Sequence, residues 1–240
     1  MKIATYNVNS LRARLSLVKD WLRKESPDML CIQETKVPDE SFPRNDLEAL
    51  GYDVAFCGEK TYNGVAIISA TPLDSVLRGF TDGTGGTRLI AADVRGVHIV
   101  NTYVPQGVSP FTEKFREKLD WLERLFDYFR ERFTPAKPVL WVGDFNIAPE
   151  PIDVYDPVLL DGHVSFNDEV RAMLERFRQW GFIDVFRLHH SEGGHYSFWD
   201  YMIKNPVKKG MGWRIDHIWA TKTLARKSKD AWIDIDARLS

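Results

Sequence analysis

Several apolar runs in this sequence end on a residue that can do polar chemistry. KIATYN ends at Asn7, with Asn9 two positions on. MLCIQE ends in Gln33 and Glu34, followed by Lys36. VHIVNTY ends at Tyr103, VLWVGD ends at Asp144 with Asn146 two further on, and WRID carries Asp216. Carboxylates and side-chain amide oxygens are hard donors, which suits Mg²⁺ or Mn²⁺. There is no Cys/His cluster at zinc spacing, no phosphate-binding glycine loop and no GxSxG elbow. The types point to an oxygen-rich divalent-metal site that performs hydrolysis at a phosphate. Each residue also has a blander use, since an Asp or Asn after a strand commonly caps a turn or a helix. The metal reading rests on the recurrence of the pattern, not on any one position.

These residues act together only if the strands that carry them end at a common edge. In α/β sheets ligands bind at the carboxyl ends of strands, where loops converge over a rigid floor. The apolar pattern predicts strands at Lys2–Asn7, Asp28–Gln33, Asp53–Cys57, Val65–Ser69, Arg88–Val94, Val97–Tyr103, Pro138–Val142, Ser197–Tyr201, Arg214–Ala220 and Ala231–Asp236. Several are apolar nearly throughout, as strands covered on both faces are. Three helices stand out. Leu15, Val18, Trp21 and Leu22 give one face. Phe115, Leu119, Leu122, Phe126, Phe129 and Phe133 give a second, and Val170, Met173, Leu174 and Phe177 a third that stops at Gly181. The aromatic stripe of the second helix reads as core. Helices interleaved with many strands indicate an α/β protein. Two sheets packed face to face with helices outside would hold this strand count.

The remaining bulk properties bound the answer. The 240 residues carry no repeat or long linker and read as one domain, 1–240. The formal net charge of −2 rules out a whole-protein basic field, so a polyanion must be held by a local patch or a metal. Cys31 and Cys57 read as two reduced core thiols rather than a disulfide. The N-terminus lacks a signal-like apolar segment and no run reaches membrane-spanning length, so a cytoplasmic protein is expected.

Five motifs, in order, carry a resemblance: YNVNSLRAR at the start, IQETK at 32–36, NTYVPQG at 101–107, GDFNIAP at 143–149 and GWRIDHIWAT at 212–221. Together they resemble the exonuclease III family, the apurinic/apyrimidinic (AP) endonucleases of the endonuclease/exonuclease/phosphatase superfamily. The resemblance implies a four-layer α/β sandwich and a Mg²⁺- or Mn²⁺-dependent phosphodiesterase. Its substrate would be double-stranded DNA with abasic sites or blocked 3′ ends. It would cut 5′ to the abasic site, with 3′-phosphodiesterase and 3′→5′ exonuclease activity as companions. Nothing in the sequence asks for an oligomer, and a monomer is expected. Glu34 matches the principal metal ligand, Asn7 a neighbour that supports the metal site, and Asn9 stands where some relatives have aspartate. Asp144 matches the carboxylate that orients or deprotonates the attacking water. Asn146 matches the amide that holds the phosphate, and Tyr103 the phenol that contacts phosphate or leaving group. Lys36 would add positive charge. Phe198, Trp213 and Ile215 match an apolar pocket for a flipped-out abasic sugar; otherwise they are ordinary core residues. Arg88, Gln106, the basic loop KNPVKKG at 204–210, Arg12 and Arg14 are candidates for phosphate or groove contacts.

Two departures from the family qualify this. The family continues past a segment like WIDIDARLS to a Ser-Asp-His triplet and a final strand, and this sequence contains no such triplet. The chain is therefore expected to be C-terminally incomplete, with the final strand missing and hydrolysis impaired. Asp216, which matches the residue that orients that His, would lack its partner. His217 alternates to the opposite face of its strand and does not substitute. After GDFNIAP no Asn occurs before Asn167, which removes DNA contacts relatives often place there. Two other functions stay open: a non-catalytic abasic-DNA binder, and a superfamily phosphatase or phosphodiesterase for non-DNA substrates.

Overall fold

A computed structural model describes residues 1–200 and 202–239, which fall into two compact units. The first takes Met1–Tyr103, Pro138–Asp144 and Asp236–Ser240; the second takes Val104–Lys137 and Phe145–Ile235.

In the first unit, β1 (Ile3–Asn7), β2 (Met29–Gln33), β3 (Asp53–Cys57) and β4 (Val65–Ser69) form a mixed sheet in the order β1-β2-β4-β3. MLCIQ of β2 and VAIIS of β4 are buried at every position because they are the central strands. Helix α1 (Leu11–Glu25) sets Leu11, Val18 and Leu22 on this sheet, and α2 (Arg44–Glu48) adds Leu47 to the same apolar cluster as Leu30, Ile32 and Ile68. A second sheet runs through β5 (Asp74–Arg78), β6 (Leu89–Val94), β7 (Val97–Tyr103) and β8 (Val139–Asp144). Neighbours are antiparallel except β7 and β8, which are parallel with Tyr103 opposite Asp144. The two sheets face each other, and a buried polar tie fixes their register. Asn101 of β7 donates to the carbonyls of Ile32 (3.0 Å) and Ala66 (2.9 Å) and accepts from Gln33 (2.7 Å). Burial without such partners would cost a few kcal/mol per group. Gly143 is required next to Asp144: its φ is +138°, and a Cβ there would lie 2.0 Å from the Thr102 carbonyl oxygen.

The second unit holds helices α3 (Glu113–Arg132) and α4 (Asp168–Trp180). Strands β9 (Phe182–Asp184) and β12 (Asp216–Thr221) pair antiparallel, as do β10 (Phe198–Trp199) and β11 (Gly212–Trp213), and α5 (Lys222–Ala225) follows β12. Thr112 caps α3 by accepting from the Phe115 N–H, and Asn167 caps α4 by accepting from the Val170 N–H. Phe129 of α3 packs edge-on against Phe177 of α4 and Phe182 of β9. Among the described residues no helix is long and apolar enough to cross a membrane.

Several expected elements differ. The segment Ala231–Asp236 is not a strand; Ile235–Leu239 forms a helical turn, and the Ala231 carbonyl accepts from His190 instead of a ladder partner. Arg214–Ala220 is not one strand either, because the Arg214 N–H donates to the Asp153 carbonyl and the Ile215 carbonyl accepts from Phe145 N–H, outside any ladder. Only Phe198–Trp199 of the Ser197–Tyr201 strand is found, Tyr201 lying outside the described residues. The strand expected at Pro138–Val142 extends through Asp144. On α3 the buried face runs through Phe115, Lys118, Leu122, Leu125 and Phe129, whereas Leu119, Phe126 and Phe133 are half-buried.

Candidate active site

The ends of β1, β2, β7 and β8 meet in the first unit, and a single amide ties their carboxylates together. Asn7 Nδ2 donates to Glu34 Oε1 and to Asp144 Oδ2, each at 2.8 Å. Its orientation is fixed because Asn7 Oδ1 accepts the Asn9 N–H at 3.0 Å. Asn7 thus presents nitrogen, not oxygen, to both acids. Lys36 Nζ lies 2.8 Å from Glu34 Oε2 and 2.5 Å from Asn9 Oδ1. This ammonium is a stand-in cation: it shows that the Glu34 carboxylate and the Asn9 amide oxygen converge on one cationic position. A carboxylate and a neutral oxygen donor fit a hard divalent ion there.

Charge states follow from the same contacts. Burial pushes the Glu34 carboxyl up, but the Lys36 ammonium, the Asn7 amide and the Tyr103 hydroxyl outweigh it, so Glu34 titrates below the usual carboxylate range. Burial first, and then the charges of Glu34 and Asp144, push Tyr103 up against the opposing pull of Arg88. The phenol is therefore a neutral donor at working pH. The Arg88 guanidinium sits 4.7 Å from the Tyr103 ring centroid and donates to its carbonyl at 3.2 Å.

The backbone here is strained. Asn9, Glu34 and Lys36 have φ of +40°, +52° and +51°. Left-handed conformations of non-glycine residues cost about 1–3 kcal/mol each and persist where surrounding bonds over-determine them. Those bonds are present: Ser10 N–H to Glu34 O (2.8 Å), Leu11 N–H to Thr35 O (2.9 Å) and Lys36 N–H to Asn63 O (2.9 Å).

The second unit carries the other expected residues. Asn146 is buried, with φ of +50°, and donates to the Val104 carbonyl at 2.9 Å. Trp213 and Ile215 lie in an apolar cluster with Ala148, Val154 and Phe166, and Phe198 packs half-buried at its edge. Phe198 and Trp213 are paired across β10 and β11. The backbone N–H of Asp216 donates to Ser197 Oγ at 3.1 Å. Gln106 is exposed, as are Arg12, Lys204, Lys208 and Lys209, while Arg14 donates to the Asn9 carbonyl at 2.6 Å. Asn167 serves as a helix cap. Cys31 is buried and Cys57 half-buried; both are free, and burial raises both thiols.

Two features escaped the sequence reading. Lys118 is fully buried, and its ammonium donates to the carbonyls of Gln106 (3.2 Å), Asn146 (2.8 Å) and Val164 (3.1 Å). It pins the loops around NTYVPQG and GDFNIAP. Its position three residues after Phe115 on the apolar face was the available signal. Arg214 of GWRID is also buried, bonded to Asp153 (2.6 Å) and Asp184 (2.7 Å). It donates to His217 Nδ1 at 3.0 Å, so His217 Nε2–H donates to the Ile147 carbonyl at 2.9 Å.

Packed mixed sheets whose strand ends bring two carboxylates onto one amide, one of them facing a cationic position, fit a phosphoesterase of the metal-dependent class. The Endonuclease/Exonuclease/phosphatase family matches residues 4–238. Exodeoxyribonuclease III of Haemophilus influenzae is 34% identical, over 99% of this chain and 94% of its own. The structure of an AP endonuclease from Archaeoglobus fulgidus matches with a TM-score of 0.97 at 44% identity, covering 100% of this chain and 94% of that one. A 3′ phosphatase from Neisseria bound to a product DNA hairpin matches with a TM-score of 0.95 at 34% identity, again covering 100% and 94%. The chain belongs to the endonuclease/exonuclease/phosphatase family, in its exonuclease III branch of AP endonucleases, a family of metal-dependent DNA-repair nucleases. The expectations of a C-terminally incomplete chain and of impaired hydrolysis find no support: the chain spans 94% of the length of each of these relatives.

Proposed function

We propose that this protein is an AP endonuclease that cuts double-stranded DNA 5′ to an abasic site with Mg²⁺ or Mn²⁺, and that it also clears blocked 3′ ends and degrades 3′→5′. The observation that carries this is the Asn7 amide shared by Glu34 and Asp144, which supports a single acidic centre at the strand ends. The names of the relatives, an exodeoxyribonuclease III, an AP endonuclease and a 3′ phosphatase bound to DNA, support the substrate class.

Glu34 and Asn9 would hold the ion, with Asn7 keeping the Glu34 carboxylate in place and Lys36 released to face phosphate. When bound, the ion supplies positive charge against the phosphate oxygens as negative charge develops. Asp144 orients and deprotonates the attacking water. Asn146 donates to the phosphate, and Tyr103, held neutral, donates to phosphate or leaving group. Asp216 matches the family residue that orients a catalytic histidine, and Arg88 and Gln106 contact the backbone of the DNA. Phe198, Trp213 and Ile215 form the apolar wall against an extruded sugar, which excludes intact bases. The protein acts as a single domain and a monomer in the cytoplasm.

The test is incision of a duplex with one abasic site. The wild type cuts 5′ to the lesion with Mg²⁺ and stops in EDTA. Asp144→Asn and Glu34→Gln each lose about 10²–10⁴-fold in kcat. Equal turnover by Asp144→Asn, faster hydrolysis of a soluble phosphoester, or DNA binding in EDTA without cleavage on adding Mg²⁺ would each reject the proposal.

A further inference from the structure

The segment LHHSEGGH of the second unit brings together three metal-ligating side chains, none of them among the residues named above for the nuclease. The ligand atoms of His190, Glu192 and His195 all lie within 4.8 Å of one another. His195 Nε2 is 2.9 Å, and His190 Nδ1 3.5 Å, from Glu192 Oε1. Bonds of about 2.0–2.2 Å in a tetrahedral zinc site place ligands roughly 3.3–3.6 Å apart, so one edge already fits. The others need only side-chain adjustment, because Glu192 is exposed and followed by Gly193 and Gly194.

The surroundings are built, not casual. His190 Nε2–H donates to the Ala231 carbonyl at 2.6 Å, which leaves the Nδ1 lone pair directed at Glu192. A ligating histidine characteristically gives its other ring N–H to a carbonyl, fixing tautomer and ring orientation. The Arg187 guanidinium donates to the carbonyls of His190 (3.1 Å) and Glu192 (2.7 Å), clamping the backbone between the ligands, and is itself paired with buried Asp153. The Phe186 ring stacks on His190 at 4.4 Å and meets His195 edge-on at 5.4 Å. The spacing H-x-E-x-x-H is not a Cys/His zinc pattern, so only the fold reveals it.

We propose that His190, Glu192 and His195 form a second metal site that takes Zn²⁺ or another borderline divalent transition ion through two imidazoles and one carboxylate. Two nitrogen donors select such ions over Mg²⁺. The bound ion staples the loop that runs into Ser197, whose hydroxyl accepts the Ile215 and Asp216 N–H groups. Its role is conformational.

Chelated and dialysed protein carrying Glu34→Gln, which weakens binding at the nuclease centre, is titrated with Co²⁺ and followed by visible absorption, then with Zn²⁺ by calorimetry. One Co²⁺ should bind with the visible band of a nitrogen-ligated ion, and Zn²⁺ should displace it and raise Tm by a few degrees. His190→Ala, Glu192→Gln and His195→Ala should each weaken binding at least about tenfold. His195 is half-buried and its ring nitrogen bonds only exposed Glu192, so that variant keeps its fold and, on the Glu34 background restored to wild type, its Mg²⁺-dependent incision. No cobalt band in excess Co²⁺, or a band unchanged in His195→Ala, would overturn the site and leave the cluster as an ion pair.

Discussion

At the scale of the residue, Asn7 carries more of the centre than its neutrality suggests. Its amide nitrogen is shared by two acids, Glu34 and Asp144, so it offsets their repulsion without adding charge. A hydrogen bond to a charged group contributes about 1.5–3 kcal/mol. Asn7→Ala is therefore expected to lower kcat about 10–100-fold, to raise the Mg²⁺ concentration needed for half-maximal incision, and to lower thermal stability as well. Asn7→Asp, which sets a third carboxylate beside the pair, should be worse. Metal titrations of the incision rate would check this, and variants within threefold of wild type would refute it. The types of Glu34, Tyr103, Asp144 and Asn146 were legible in the sequence because each interrupts or ends an apolar run. The double donation by Asn7 was not, because Asn7 and Asp144 are 137 positions apart. The clasp of Lys36 between Glu34 and Asn9 was hidden as well, since it depends on a left-handed turn at Glu34.

At the scale of the element, legibility tracks burial. Helix α4 buries Val170, Met173, Leu174 and Phe177 and stops at Gly181, as its periodicity predicts. The strand β5, largely exposed, and the three-residue β9 give no such signal. WRID misleads for a different reason: Arg214 is buried by ion pairing with Asp153 and Asp184, which breaks the ladder where the pattern runs on. Helix α3 is the instructive case, because its buried face includes a lysine. The Lys118 ammonium uses all three donors on carbonyls of three separate loops. Lys118→Met keeps the length and apolar stem but leaves those carbonyls unpartnered. Removing one member of a buried charged network costs roughly 3–5 kcal/mol, or a Tm lower by about 10 °C. Incision should fall with it at temperatures where the fold persists, because Asn146 is displaced with its own carbonyl. A melt within about 2 °C of wild type would show that water replaces the ammonium.

At the scale of the whole molecule, 34 acidic and 32 basic side chains nearly cancel, so acid sensitivity is set by buried groups rather than by net charge. His217 is one such group. Burial, and then the adjacent Arg214, hold its imidazole down to about 4 from 6.5. The unfolded chain therefore binds a proton below about pH 6.5 that the folded chain refuses until about pH 4, and stability falls as pH falls through that window. A depressed histidine differs from a depressed carboxylate in the window, not in the direction: Glu34, also lowered, gives up its contribution only at more acid pH. For His217 the loss between about pH 7 and pH 5 is roughly 2 kcal/mol. Denaturant unfolding at the two pH values should show it. His217→Gln, which can still donate to the Ile147 carbonyl, should start less stable at neutral pH and lose about 2 kcal/mol less on acidification. An unchanged pH slope in that variant would mean that the imidazole is already protonated in the fold, and that Arg214 is held by Asp153 and Asp184 alone.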